Sequence, residues 1–404
     1  MPVVEPITNH PEPDEPRPLR ESMALALSGG GYRAMLFHTG TLWRLGQLGF
    51  YQDRPLDRMD ASGDFVSVGK LERISSVSGG SIVSAKLALE FGSLEKLGPV
   101  EFDKAYRELV VDPIRHLADT TLAGMSAKGV FKIIKYIVMP GEVNAHVAKA
   151  LDDALYQGRK LQDLPDRMRF IFNASNLQSG SVWRFSRPYM GDWKVGRVMN
   201  PKFPVARAVG ASAGFPPILA PATLNLQNSD FDQDKGKPFL RYAPYTTSIT
   251  LADGGVYDNL GIETCYKSFR TLFVSNAGKP FSEQPKISVN WVSLGGRCLD
   301  VMDNQVLSLR KRLLIQAFKD RERYGAFWDI KQDIGVHKLP DCLPCPYDST
   351  RKLAQVPTDL ATKDIETQKR LINWGYAVAD AAIRSHFNRS LQPPENFPYP
   401  ESGV

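Results

Sequence analysis

Four cysteines in 404 residues are too few for a disulfide framework. Cys342 and Cys345 form a C-x-x-C pair with His337 close by. A zinc site needs about four ligands, and Cys265 and Cys298 are distant in sequence, so ordinary reduced thiols and no metal are expected. No apolar run approaches the ~18 residues that span a bilayer. The N-terminal stretch MPVVEPITNHPEPDEPRP holds six prolines and no apolar core, which argues against a secretory leader. A soluble chain in the cytoplasm is the expectation. Neither sign of charge dominates: Lys and Arg total 50 against 44 Asp and Glu, a net +6. That excess suits a phospholipid surface or merely a solvated basic one, and no nucleic-acid polymer is expected.

What is present is a large apolar fraction, 43% of the chain, enough for a sizeable core. Length alone suggests two or three domains, although one α/β domain with insertions also reaches this size. Residues 1–22 and 387–404 read as Pro-rich tails, the latter with aromatics that could dock on the body. Between them, 23–386 reads as one domain. MALALS (23–28) and LERISSV (71–77) are buried-strand patterns, each followed by a helix, at about 33–48 and 79–91. RFIFNAS (169–175), SVWRFS (181–186), SITLAD (248–253) and KISVNWVSL (286–294) complete the expected strands. Residues 95–165 lack strand signals and read as a helical insertion; further helices are expected at about 304–323 and 362–386. Strands alternating with helices predict an α/β fold, a mostly parallel sheet covered on both faces.

Three segments carry chemistry. LSGGGYR (27–33) places three glycines between a strand and a helix, which frees backbone N–H groups at a helix N-terminus to meet an anion. A phosphate loop of the Walker A type would need a lysine that this segment lacks. GDFVSVGKL (63–71) spaces its glycines one residue too far apart and has Leu71 where a hydroxyl is required. SSVSGGS (75–81) fits a nucleophile elbow, in which the residues two before and two after the serine must be small. Ser76 and Gly80 hold those places around Ser78; the competing reading is a Ser/Gly-rich helix cap. LADGGVYDN (251–259) ends a strand at Asp253, although Asp-Gly is also an ordinary turn.

A serine nucleophile needs a base, usually histidine. None of the six histidines stands in a convincing triad context, so a Ser–Asp pair has to be considered. The order SGGGYR, SVSGGS, ADGGVYDN resembles the patatin-like phospholipases, a family that includes cytosolic phospholipase A2-like enzymes. VARAVGASAGFPPILAP (205–221) is similar to the family's segment before its aspartate. The resemblance spans about 23–260, with Ser76 in place of the elbow's first glycine as its one departure. It implies a three-layer α/β/α patatin-like fold and hydrolysis of glycerophospholipid acyl esters. It further implies Ser78 as nucleophile, Asp253 as base, and the N–H groups of Gly29, Gly30 and Gly31 as oxyanion donors. Arg33 would hold the loop or bind a lipid phosphate, Arg207 would face a headgroup, and no cofactor is needed. A general esterase or acyltransferase, or an idle lipid-binding protein of the same fold, are the alternatives. Some relatives are toxins or antiphage effectors, so a regulatory small molecule such as a nucleotide signal, or a protein activator, is a further partner to expect.

Two features stand outside these motifs. MSAKGVFKIIKYIVMP (125–140) interleaves apolar residues with Lys128, Lys132 and Lys135, as a membrane-lying lid would, or a core-facing helix. Arg310, Lys311 and Arg312 form a basic cluster that suits a headgroup, a partner, or a solvated helix face.

Overall fold

The computed structural model describes residues 18–122, 141–216, 219–232 and 238–404. The strands are β1 (Arg20–Leu27), β2 (Asp57–Met59), β3 (Phe65–Ser67), β4 (Leu71–Val77), β5 (Arg169–Asn176) and β6 (Ser181–Phe185). They continue with β7 (Tyr189–Asp192), β8 (Gly196–Met199), β9 (Ala222–Asn225), β10 (Ser248–Asp253), β11 (Phe269–Asn276) and β12 (Tyr324–Asp329). The α-helices are α1 (Gly31–Gln47), α2 (Gly79–Leu94), α3 (Pro99–Tyr106), α4 (Asp112–Ala118), α5 (Glu142–Leu151) and α6 (Val205–Ser212). After them come α7 (Gly255–Asp258), α8 (Glu263–Tyr266), α9 (Trp291–Lys319), α10 (Tyr347–Leu353) and α11 (Ile365–His386).

Ten strands form one sheet in the order β12-β11-β1-β4-β5-β6-β7-β8, with β10 on β5 and β9 on β10. Its heart is parallel, from β12 through β11, β1 and β4 to β5, and antiparallel strands extend it beyond β5. The alternation in β1 shows how the sequence builds three layers. Met23, Leu25 and Leu27 enter the large core under α1, α2 and α11, whereas Ala24 and Ala26 enter a smaller core with Leu260, Ile262 and Leu314. The described part of 95–165 is helical, as expected.

Three expectations need correction. KISVNWVSL is not a strand: 286–290 is irregular and α9 begins at Trp291. Its alternation is real, but Val289 and Trp291 are exposed and pair with nothing; β11 and β12 are the strands that neighbour β1 on that side. The helix expected at 304–323 starts thirteen residues earlier, because Gly295 and Gly296 weaken the pattern without breaking the helix. Residues 387–404 dock on the body, as the alternative left open for their aromatics allowed. The Phe387 ring lies 5.1 Å from Phe273, and Asn373 Nδ2 donates to the carbonyls of Tyr399 and Gly403, both at 2.7 Å. At the other end, β1 begins at Arg20, inside the stretch read as tail.

Candidate active site

The C-terminal ends of the parallel strands collect the motif residues. The chain leaves β4 at Ser78 with φ 51° and ψ −122°, a conformation that strains any residue with a Cβ. It is kept because surroundings over-determine it. Ser78 N–H donates to Ser212 Oγ at 3.0 Å, and Ser212 Oγ donates to the Asn173 carbonyl at 2.6 Å. Gly79 lies so close to the Gly31 carbonyl that a Cβ would collide with it, so elbow and glycine loop touch backbone to backbone. Ser76, the departure from the elbow pattern, sends its hydroxyl to the Ile171 carbonyl at 3.2 Å and accepts from Ser81 Oγ at 3.1 Å. A small polar side chain therefore fits where the pattern asks for glycine.

The Ser78 side chain stands close enough to the Asp253 carboxyl to favour its ionised form. Burial pushes that carboxyl up to about 7, against the Gly255 N–H and the Ser78 side chain, with the charge of Asp303 on α9 adding to the rise. The 2.7 Å bond from Gly255 N–H orients Oδ1, while Ser175 Oγ holds the Asp253 carbonyl at 2.8 Å. A carboxyl titrating near 7 beside a hydroxyl suits a general base.

The three glycines divide. Gly29 N–H is committed to the Asn259 carbonyl at 3.1 Å and drops out of the expected donor set. Gly30 (φ 137°) and Gly31 (φ 55°) turn the chain into α1, and among the described residues their N–H groups have no partner. Gly31 also packs against the carbonyls of Thr358 and Asp359, leaving no room for a side chain. Two unpaired amides at the start of α1, facing the start of α2, form a cradle for negative charge.

Arg33 is buried and points away from any ligand. It donates to the carbonyls of Ala354 (2.6 Å), Val356 (2.8 Å) and Ala277 (2.8 Å), and so fastens the 354–361 segment over the loop. Burial brings its pKa down to about 10, opposed by Asp329. Arg207 is not gathered into the site. It sits at the exposed start of α6, 3.3 Å from the Thr223 carbonyl, with its guanidinium 5.0 Å from the Phe203 ring. His38 commits both ring nitrogens, at 3.0 Å each, to the Ser28 carbonyl and Ser275 Oγ, and burial lowers its pKa to about 3. It is a neutral strut under the loop.

Of the outlying features, 125–140 with Lys128, Lys132 and Lys135 lies outside the described residues. The basic cluster resolves into internal pairs: Arg310 with Glu263 (2.9 Å) and Asp258 (3.7 Å), Lys311 with Asp329 (3.6 Å). Only Arg312 of the three lacks a carboxylate partner among the described residues, its Nε reaching the Ser308 carbonyl at 3.3 Å. Sequence reasoning missed Ser212, Asn259 and Arg33's carbonyl partners. Ser212 and Asn259 had a signal, the one a hydroxyl within the small-residue run and the other the last residue of LADGGVYDN, both segments already singled out.

A family model described as patatin-like phospholipase matches residues 25–266. No curated protein matches the sequence. Among solved structures, human GIVD cytosolic phospholipase A2 is 12% identical with a TM-score of 0.43, over 89% of this chain and 61% of that one. VipD from Legionella pneumophila is 13% identical with a TM-score of 0.35, over 92% and 68%. This chain thus spans about six-tenths of the human protein.

Proposed function

Since the chain belongs to the patatin-like phospholipase family, we propose that it hydrolyses acyl esters of membrane glycerophospholipids through Ser78 and Asp253. The observation that carries this reading is the strained, buried Ser78 beside a buried carboxyl pushed up to about 7, next to the amides of Gly30 and Gly31, unpaired among the described residues. Asp253 takes the hydroxyl proton as Ser78 Oγ bonds to the ester carbonyl carbon. The Gly30 and Gly31 N–H groups stabilise the oxyanion, each such donor typically supplying ~10²–10³ in rate. Collapse expels the lysolipid alcohol, which takes the proton from Asp253. Water then attacks acyl-Ser78, Asp253 again accepting the proton, and the freed fatty acid leaves as the proton returns to Ser78. Every step uses this chain's own groups.

Contact with the bilayer is part of the proposal. On α9, Leu299, Met302, Val306, Leu309 and Leu313 recur at three- and four-residue spacing and are all exposed, with Trp291 81% exposed at its start. The same helix carries Asp303, whose charge adds to the rise of the Asp253 pKa, and Arg310, which pairs with Asp258 five residues after Asp253, so α9 lies beside the site. Exposed Phe215 and Val256 flank Asp253 in sequence or through the Asp253 N–H bond to Gly214 O at 2.8 Å. No helix among the described residues is long and apolar enough to cross a membrane, so the contact is peripheral, from one leaflet.

The test is fatty-acid release from mixed liposomes by purified protein, read by mass spectrometry. Release by the wild type but not by Ser78→Ala supports the reading. Release of acyl groups only from short soluble esters would turn it to a general esterase, and no release from either to an idle binding protein.

A further inference from the structure

Strand register gathers four arginines on one face of the sheet. Arg73 of β4 is paired with Arg169 of β5. Asn173, four residues on and so on the same face, is paired with Arg184 of β6. Gly191 of β7 faces both Arg184 and Arg197 of β8, and Tyr189 lies two residues before it. Cross-strand partners share a face, as do residues two or four apart along a strand. The opposite face of the same strands carries Phe170, Phe172, Trp183, Phe185 and Met190 into the core.

The arginines converge on Tyr189. The guanidinium carbons of Arg169 and Arg197 stand 4.6 and 4.5 Å from its ring centroid, and Arg184 Nη1 donates to its hydroxyl at 3.4 Å. Arg169 Nη2 donates to Ser186 Oγ at 3.3 Å, and Arg73 Nη1 to the Thr264 carbonyl. Little else is satisfied: the Nε groups of Arg73, Arg169 and Arg184 are buried without a hydrogen-bond partner. Among the described residues none of the four arginines pairs with a carboxylate, in contrast to Arg44, Arg310 and Arg384. Each guanidinium has five N–H donors in a planar fork. Burial pushes the Tyr189 phenol up, but Arg184, Arg169 and Arg197 outweigh it and bring the phenol down to about 8. The phenol thus reports an uncompensated positive field.

We propose that this face of the sheet, formed by Arg169, Arg184 and Arg197 around Tyr189 with Arg73 beside them, binds a phosphate-bearing anion. Guanidinium forks match phosphate oxygens two at a time, and several cations without a counter-charge favour a ligand with more than one negative charge. The cluster is offset from the hydrolytic site: Arg73 lies five residues before Ser78, roughly 16 Å along β4, and Arg184, level with Val77, stands two strands away across β5, roughly 10 Å. The phosphate comes either free in solution or on a lipid headgroup, and the experiment separates the two.

Inorganic pyrophosphate is titrated calorimetrically into the Ser78→Ala protein, and the same protein is sedimented with phosphatidylcholine vesicles with and without phosphatidic acid. An Arg184→Gln/Arg197→Gln pair in that background should weaken the interaction by roughly tenfold or more, whereas Arg312→Gln should not. Pyrophosphate binding lost in the pair assigns a free phosphate ligand. Phosphatidic-acid-dependent sedimentation lost in the pair, without pyrophosphate binding, assigns a headgroup. Binding equal in the pair and its parent, or absent with both probes, overturns the site. Should the pair fail to fold, the phenolate absorbance of the arginine-intact protein decides. Bound pyrophosphate should raise the Tyr189 pKa and lower that absorbance at mildly alkaline pH, a change absent in Tyr189→Phe. An unchanged absorbance overturns the proposal equally.

Discussion

Along β12, β11, β1 and β4 both faces of the sheet are covered, by α1 and α11 on one side and by α8 and α9 on the other. Along β5 to β8 one face is packed with aromatics and the other carries arginines around Tyr189. In the parallel half, the proposed chemistry rests on backbone: amides at Gly30 and Gly31, a strained turn at Ser78, and one carboxyl, Asp253, brought across by β10. In the antiparallel half long side chains share a half-buried face, Arg197 alone of the four arginines being exposed. Parallel strands buried on both sides offer only their ends, where chain turns expose N–H groups. An antiparallel sheet whose second face carries long charged side chains offers those side chains instead.

The sharpest way to break this contrast is to remove the two side chains the parallel half does use. Ser78→Ala and Asp253→Asn should each lower kcat on a short soluble ester by about 10³-fold or more. The double variant should fall little further, as for groups acting as one unit. A folded Ser78→Ala that still turns over substantially removes Ser78 as nucleophile.

Next in size is the backbone itself. Gly31→Ala meets both the positive φ and the carbonyl of Asp359, and should cost about 10²-fold in kcat, the value of a displaced oxyanion donor. Measured kcat within a few fold of wild type would take Gly31 out of the cradle.

The electrostatics of Asp253 come third. The base must be ionised to accept a proton, so kcat/KM should rise with pH through about 7 and level off above it. Asp303 raises that value by like-charge repulsion, so Asp303→Asn should move the acidic limb to lower pH. A limb that stays in place would show that α9 does not reach the site electrostatically.

Smaller effects test the elbow and the arginine face. Ser76→Gly should keep activity within about tenfold, ~1.4 kcal/mol of barrier, while Ser76→Val forfeits the bond to the Ile171 carbonyl and crowds β5. Equal activities in the two variants would refute the steric account. Smallest of all, Arg184→Gln/Arg197→Gln should leave turnover of a soluble ester unchanged within about twofold, because these side chains stand on β6 and β8, two and four strands from β4. A collapse of soluble-ester activity in a folded pair would merge the two regions into one site.

Much of this was legible without coordinates because it is local. Strand, glycine turn and helix follow one another in β1 to α1 and in β4 to α2, and turn chemistry needs only neighbours in sequence. The same locality misled at KISVNWVSL, where alternation met no partner strand, and left 387–404 open between a Pro-rich tail and aromatic docking, which only packing on α11 decides. Gly29 was indistinguishable in sequence from Gly30 and Gly31, yet a carbonyl 230 residues away occupies its N–H.

The sequence by itself determined the order of motifs, the choice of Ser78 and Asp253 as candidates, and the α/β alternation, since each depends on residue type and short-range spacing. Tertiary structure alone decided that Asp253 titrates near 7, because burial and the charge of Asp303 arise from packing. It decided that Arg33 clamps 354–361 while Arg207 stands apart. It also decided that four arginines scattered over 125 residues of chain share one face, because strand register, which no local pattern encodes, brings their side chains together.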